Sequence, residues 1–144
     1  MGVRRMEHVG IVVEDLAEAI GFFVEIGLEP EGEGSVEGGW VDRVIGLEGV
    51  RAKIAMLATP DGNGRVELSE FESPPTEGGG PEPSNRLGIR HLSFSVDDLD
   101  DMLARLRARG VEMVGEVEAY RDVYRLCYVR GPGGAIVELA EPLG

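Results

Sequence analysis

The strongest constraint on the fold of this chain is an internal repeat. His8–Leu16 (HVGIVVEDL) lines up without a gap on His91–Leu99 (HLSFSVDDL), and each segment is an apolar stretch that ends in acidic residues. A glycine, Gly27 or Gly110, follows each histidine by 19 residues, where the end of a helix is expected. Self-similarity of this kind is the signature of a duplicated supersecondary unit. The sequence therefore predicts two copies of one module.

The ends of the two copies also match. Val66–Glu70 (VELSE) and Val137–Glu141 (VELAE) share four of five residues, and a glycine-containing turn precedes each segment. The first copy is longer by 12 residues, and the best place for this excess is the glycine-rich stretch Gly32–Val50. Long loops inside compact domains are often functional, so we expect this stretch to be a functional loop.

Hydrophobic periodicity places one helix and four strands in each copy. The helices carry apolar stripes, and the strands alternate apolar and polar residues. The class is therefore α+β, with two βαβββ modules whose curved mixed sheets close into a metal-containing cavity. Besides the repeated strands, we predict strands at Leu28–Glu33, Arg51–Ala58, Val111–Val117 and Tyr124–Arg130. The modules span residues 1–72 and 87–144, and residues 73–86 form a linker rich in proline and glycine.

Four potential metal ligands occupy repeat-equivalent positions. Alternation puts His8 and Glu67, and likewise His91 and Glu138, on the strand face opposite the apolar residues. The two histidines are the only ones in the chain. Two imidazoles and two carboxylates suit Zn, Ni, Co, Fe or Mn better than Ca or Mg. We therefore predict that these four side chains bind one divalent metal ion.

Four other polar or aromatic residues are candidates for substrate contacts because of where they lie in the sequence. Trp40 and Arg43 lie in the long stretch of the first copy, and Tyr124 and Tyr128 lie in a strand rich in polar and aromatic residues. We expect these four residues to contact substrate.

Three further residues are expected to have no part in the site. Alternation places Glu70 and Glu141 on the opposite face from the metal ligands, where they should be solvated. Cys127 is expected to be a small core residue, because no histidine lies near it in the sequence to activate the thiol.

Composition limits the partners and the compartment. With 27 acidic and 14 basic residues the net charge is −13, which argues against nucleic acid as a partner. No apolar run approaches the roughly 20 residues of a membrane span, and residues 1–5 lack the apolar segment of a signal peptide. A single cysteine cannot form an intrachain disulfide, so we expect a cytoplasmic protein. Open sheet edges favour a homodimer.

The residues described above resemble those of the vicinal oxygen chelate superfamily. This superfamily includes glyoxalase I, methylmalonyl-CoA epimerase, extradiol dioxygenases, and fosfomycin and bleomycin resistance proteins. The resemblance covers nearly the whole chain and is carried by the paired modules, by His8 and His91, and by the closing Gly133–Leu139 (GGAIVEL). In metal-dependent members the ligands come from the first and last strands of the modules, which implies His8, Glu67, His91 and Glu138 here.

This resemblance implies a function at the level of the reaction class. The ligand set is most similar to that of glyoxalase I and the epimerases, which implies a lyase or isomerase acting on a small substrate with vicinal oxygens. The metal would stabilise an enediolate while Glu138 or Glu67 removes a proton, with a slight preference for Glu138. The sequence has no evident set of basic residues for glutathione or coenzyme A, so the substrate is not implied.

Two alternatives remain open at this point. One is an iron-dependent extradiol-type dioxygenase that uses His8, His91 and Glu138, with Glu67 as a bystander. The other is a non-enzymatic drug-binding or ligand-binding protein of the bleomycin-resistance type, in which the cavity needs no metal.

Overall fold

The computed structural model describes residues 1–144 as two compact units, Met1–Gly78 and Gly79–Gly144. The division between the units lies inside the segment 73–86 that we interpreted as a linker. Each unit contains one four-stranded mixed sheet and a ten-residue helix. The predicted α+β class with two βαβββ modules is thus confirmed.

The sheet of the first unit has the strand order β1-β4-β3-β2, with β1 parallel to β4 and the other pairs antiparallel. Its core includes Phe23, Leu57 and Leu68, which are fully buried. Asp15 caps the first helix, since its carboxylate accepts the backbone N–H of Glu18 at 3.0 Å. The elements are β1 (Val9–Val12), α1 (Leu16–Glu25), β2 (Glu29–Glu37), α2 (Gly39–Ile45), β3 (Arg51–Ala58) and β4 (Arg65–Ser73).

The sheet of the second unit repeats this topology with the order β5-β8-β7-β6, and β5 is parallel to β8. Its core includes Leu99, Leu106 and Leu139. None of the three α-helices in the chain is long and apolar enough to span a membrane. The elements are β5 (His91–Ser95), α3 (Leu99–Ala108), β6 (Glu118–Tyr120), β7 (Tyr124–Arg130), a 3₁₀ turn (Pro132–Gly134) and β8 (Ile136–Pro142).

Glu70 and Glu141 are not simply solvated, contrary to expectation. Each carboxylate accepts the first backbone N–H of the helix in its own unit, from Leu16 or Leu99, at 2.9 Å. The side chains are only 25% and 17% exposed. A helix N-terminus has unpaired N–H groups and a partial positive charge. A carboxylate on the neighbouring strand accepts a hydrogen bond from one of these groups and balances the charge. These repeated glutamates therefore attach each helix to its sheet.

The glycine-rich stretch Gly32–Val50 is not a loop throughout. Strand β2 continues to Glu37, and Gly38, with φ of +109°, turns the chain into the short helix α2. The Asp42 carboxylate then accepts the backbone N–H groups of the following turn, at 3.0 Å from Gly49 and 2.9 Å from Val50. This turn is set by side-chain bonds to backbone, which hydrophobic periodicity does not reveal.

The predicted strand Val111–Val117 is wrong. The segment makes two backbone bonds to β7, one from Val114 to Tyr128 and one from Arg130 to Glu112, each of 2.9 Å. The chain then bends, and regular pairing with β7 resumes only at β6, three residues long. The apolar alternation reflects partial burial beside β7 and not a continuous ladder.

Candidate metal centre and adjoining cavity

Each unit places one histidine beside one glutamate. In the first unit, parallel pairing of β1 and β4 sets Gly10 opposite Glu67. His8 lies two residues before Gly10, so its side chain projects from the same face. The Nε2 atom of His8 is 3.8 Å from Oε2 of Glu67. Two of the predicted ligands are therefore neighbours in this unit.

The second unit repeats the arrangement with closely similar geometry. Parallel pairing of β5 and β8 sets Ser93 opposite Glu138, and His91 lies two residues before Ser93. The Nε2 atom of His91 is 3.7 Å from Oε1 of Glu138. We call the His8–Glu67 and His91–Glu138 pairs the first and second half-sites.

These distances fit donors that share a cation. With metal–ligand bonds of roughly 2.0 to 2.2 Å, two donors on one cation are at most about 4.3 Å apart. Both distances are below this limit, and both exceed the length of an ordinary N–H···O hydrogen bond. Each half-site is also partly exposed, with side-chain exposures between 18% and 41%. No group of three or more His, Cys, Asp or Glu side chains is arranged to hold a metal, and each unit brings together one histidine and one glutamate.

The half-sites differ in how their carboxylates are held. The Ser93 hydroxyl donates to Oε2 of Glu138 at 2.8 Å, which leaves Oε1 facing His91. The counterpart of Ser93 in the first unit is Gly10, which has no side chain to offer Glu67. Strand alternation puts Ser93 on the same face as His91. Its position opposite Glu138 depends on the strand register, which the sequence alone does not supply.

An aromatic residue accompanies the second half-site. Tyr128 is the cross-strand neighbour of Glu138 on β7, and its ring centroid lies 5.0 Å from that of His91. The corresponding neighbour of Glu67 on β3 is Met56. The second half-site therefore has an aromatic wall where the first has a flexible apolar side chain.

A cavity of about 600 Å³ adjoins this wall, within the size range of small-molecule sites. Tyr124 and Tyr128, which we expected to contact substrate, both line it. The segment before β6 forms another side and contributes Glu116, and β6 contributes Glu118 and Tyr120. No lysine or arginine is among the lining residues.

Of the other candidate residues, Trp40 and Arg43 lie outside these groupings, whereas Cys127 is among the residues that line the cavity. Trp40 and Arg43 belong to α2 of the first unit, where Trp40 is 57% exposed and the Arg43 guanidinium lies over Gly39. Cys127 is buried, and burial raises the pKa of its thiol, so it is the core residue that we expected.

The sequence profile of the glyoxalase/bleomycin resistance protein/dioxygenase superfamily matches residues 5–139 of this chain. The chain belongs to this superfamily. A glyoxalase family protein of Bacillus cereus, known from its crystal structure, is 50% identical to it, with a TM-score of 0.96. That alignment covers 100% of this chain and 97% of the other.

Two further similar proteins have names that state an enzymatic activity or a bound metal. A 2-epi-5-epi-valiolone epimerase of Actinomyces sp. is 33% identical over 96% of this chain and 79% of the epimerase. A fosfomycin resistance protein, FosX, of Listeria monocytogenes was crystallised with Mn(II) and sulfate. It shares the fold, with a TM-score of 0.62 and 19% identity over 97% of this chain and 93% of FosX. The superfamily thus includes enzymes that act on small molecules.

Proposed function

We propose that His8, Glu67, His91 and Glu138 together bind one divalent metal ion, and that the protein is a lyase or isomerase of the glyoxalase type. The observation that carries the proposal is the repeated half-site, with two donors at 3.8 and at 3.7 Å. The similarity to an epimerase at 33% identity supports proton transfer as the reaction class.

The donor set favours a transition metal. Imidazole nitrogen and carboxylate oxygen suit Zn, Ni, Co, Fe or Mn, and a protein of the same fold was crystallised with manganese. When bound, such an ion acts as a Lewis acid that polarises vicinal oxygens of the substrate.

The remaining chemistry belongs to the two glutamates. The hydrogen bond from Ser93 holds Glu138 in one orientation, which suits a residue that stays a ligand. No side chain at position 10 restrains Glu67, which suits a base that moves toward the substrate. Glu67 would accept the proton from the carbon next to the polarised oxygen and lose it to water, and delivery of a proton from water to the opposite face of that carbon would complete an epimerisation. We therefore propose Glu67 as the base in place of Glu138.

Metal analysis tests the proposal directly. We expect about one metal ion per chain in protein purified without chelators, and a large loss in His8→Ala and His91→Ala. Glu72→Gln is a matched control, because Glu72 lies on β4 among exposed charges and away from the half-site. Wild-type protein with only a small fraction of one metal per chain would leave the metal-free ligand-binding function in its place.

A second assay tests the reaction class. Solvent deuterium should enter hydroxyketones and related substrates with vicinal oxygens at the carbon that loses its proton. Oxygen consumption with catechols, without such exchange, would instead assign an extradiol-type dioxygenase.

We also propose that the protein is a homodimer, and mixing of variants shows whether one site uses residues of two chains. Neither His8→Ala/Glu67→Gln nor His91→Ala/Glu138→Gln should bind metal alone. If each site takes one half-site from each chain, a mixed dimer regains one complete site, and metal binding returns after mixing. If both half-sites come from one chain, mixing restores nothing.

A further inference from the structure

The cavity of the second unit adjoins the second half-site through Tyr128, which lines the cavity and lies beside His91. Tyr128, Leu126 and Tyr124 alternate along β7 and therefore project from one face of the sheet. This is the face of Glu138, since Tyr128 and Glu138 are cross-strand partners. The Tyr128 ring lies beside His91 at one end, and Tyr124 pairs with Tyr120 of β6 at the other. One wall thus leads from the metal ligands to the edge strand.

The cavity has a distinctive chemistry. Three tyrosine rings give flat apolar surfaces on which the C–H faces of a ring compound can stack, and their hydroxyl groups can donate and accept hydrogen bonds. The charged lining residues are both acidic, Glu116 and Glu118. Carboxylates attract hydroxyl or ammonium donors and repel anions.

Three arginines near the cavity each contact another group of the protein. Arg125 projects from the opposite face, where it donates to Asp100 at 2.8 Å. Arg130 donates to the backbone carbonyls of Glu82 and Gly134. Arg121, in the turn after β6, has its guanidinium over the Tyr120 ring, 5.3 Å from the centroid. None of the three lines the cavity.

We propose that this cavity is the specificity pocket of the enzyme and that it selects uncharged or amine-bearing ring compounds with vicinal oxygens. Substrates with a phosphate or carboxylate group are disfavoured, because the charged residues that line the pocket are both acidic. This inference rests on the proposed metal-dependent function, which supplies the site for the vicinal oxygens.

Calorimetric titration of the Zn-loaded full chain with three matched probes tests the inference. The probes are 2-keto-myo-inositol, an analogue with one hydroxyl replaced by an amine, and a phosphate ester of the same ring. We expect the first two to bind at least about tenfold more tightly than the phosphate ester, which corresponds to about 1.4 kcal/mol. Equal or tighter binding of the phosphate ester would overturn the inference, and so would the absence of binding by all three probes.

Two variants identify the residues responsible. Glu118→Lys should reduce the discrimination against the phosphate ester at least tenfold, whereas Glu112→Lys should not, because Glu112 is an exposed residue of the preceding segment that does not line the cavity. Tyr124→Leu should weaken binding of the uncharged ring about tenfold through loss of stacking. An unchanged preference in Glu118→Lys would contradict the inference.

Metal content distinguishes a failure of the pocket assignment from a failure of the proposed function. It should be the same in wild type, Glu118→Lys and Tyr124→Leu. A chain that binds zinc through the four ligands but shows no charge preference refutes only the pocket assignment. A chain that binds no zinc refutes the proposed function and this inference with it.

Discussion

The two half-sites share their donors and differ in what surrounds them. In the first unit, Glu67 lies opposite Gly10 and Met56, and in the second unit, Glu138 lies opposite Ser93 and Tyr128. The imidazole-to-carboxylate distances nevertheless agree within 0.1 Å, at 3.8 and 3.7 Å. Duplication has thus preserved the imidazole-to-carboxylate spacing, while the neighbours have diverged in the way that leads us to propose different tasks for the two carboxylates.

The largest expected effect separates those two tasks. Glu67→Gln should lower solvent deuterium exchange by about 10²- to 10⁴-fold, the range of a lost general base, while much of the metal remains bound. Glu138→Gln should mainly lower metal content, because Ser93 holds that carboxylate as a ligand. Exchange assays and metal analysis on the same preparations check this. Loss of exchange in Glu138→Gln with full metal content would reverse the two roles.

Substitution of the residues opposite the two carboxylates tests the second difference between the half-sites. Ser93→Gly removes the hydrogen bond that holds Glu138 and should lower metal affinity about 10-fold or more. Gly10→Ser should be accommodated, since a Cβ atom at position 10 meets nothing within 4 Å, and should slow exchange by restraining Glu67.

Ser95→Gly is the matched control for these exchanges. It places glycine on β5 without touching Glu138, so it reports the cost of glycine in this strand alone. If Ser93→Gly and Ser95→Gly have equal metal affinity, the hydrogen bond to Glu138 has no part in metal binding.

A smaller effect concerns stability, where the two units should behave alike. Glu70→Ala and Glu141→Ala each remove the acceptor of the first helical N–H group, so each should lower the free energy of unfolding by about 1 kcal/mol. Thermal or urea unfolding measures this loss. Glu72→Ala, on an exposed part of β4, is expected to change stability by less than about 0.5 kcal/mol. A similar loss in that control would show that the capping bonds contribute little.

The smallest expected effect is at Cys127, whose counterpart in the first unit is Ala55. Cys127→Ala should cost roughly 1 kcal/mol or less, since the smaller residue already fills the equivalent position. Burial raises the pKa of the Cys127 thiol, so the reactive thiolate should form only at a higher pH than in a free cysteine. Labelling with a thiol reagent at pH 8 should therefore be slow in the native protein and fast after unfolding. Rapid native labelling would show that the thiol is accessible.

The sequence predicted the fold better than it predicted which side chains contact the four proposed ligands. Strand alternation has a period of two, so the sequence was enough to place His8 and Glu67 on the same face of the sheet. Strand register and helix docking are tertiary properties, and they determine that Ser93 reaches Glu138 and that Glu70 reaches the start of α1. Helix α2 was missed for a similar reason, since its boundaries depend on backbone conformation at glycines and on bonds to backbone.

One edge strand of each sheet, β2 in the first and β6 in the second, is protected against pairing, and the two are protected by different means. Strand β2 is long, but its sequence EPEGEGSVE has four glutamates, a proline and an irregularity in its pairing with β3. Strand β6 is only three residues long. Charge, proline and brevity all discourage the addition of a foreign strand. A crowded solution of this protein should therefore resist growth of fibrils from β2 or β6, even though each strand has one side of unpaired backbone.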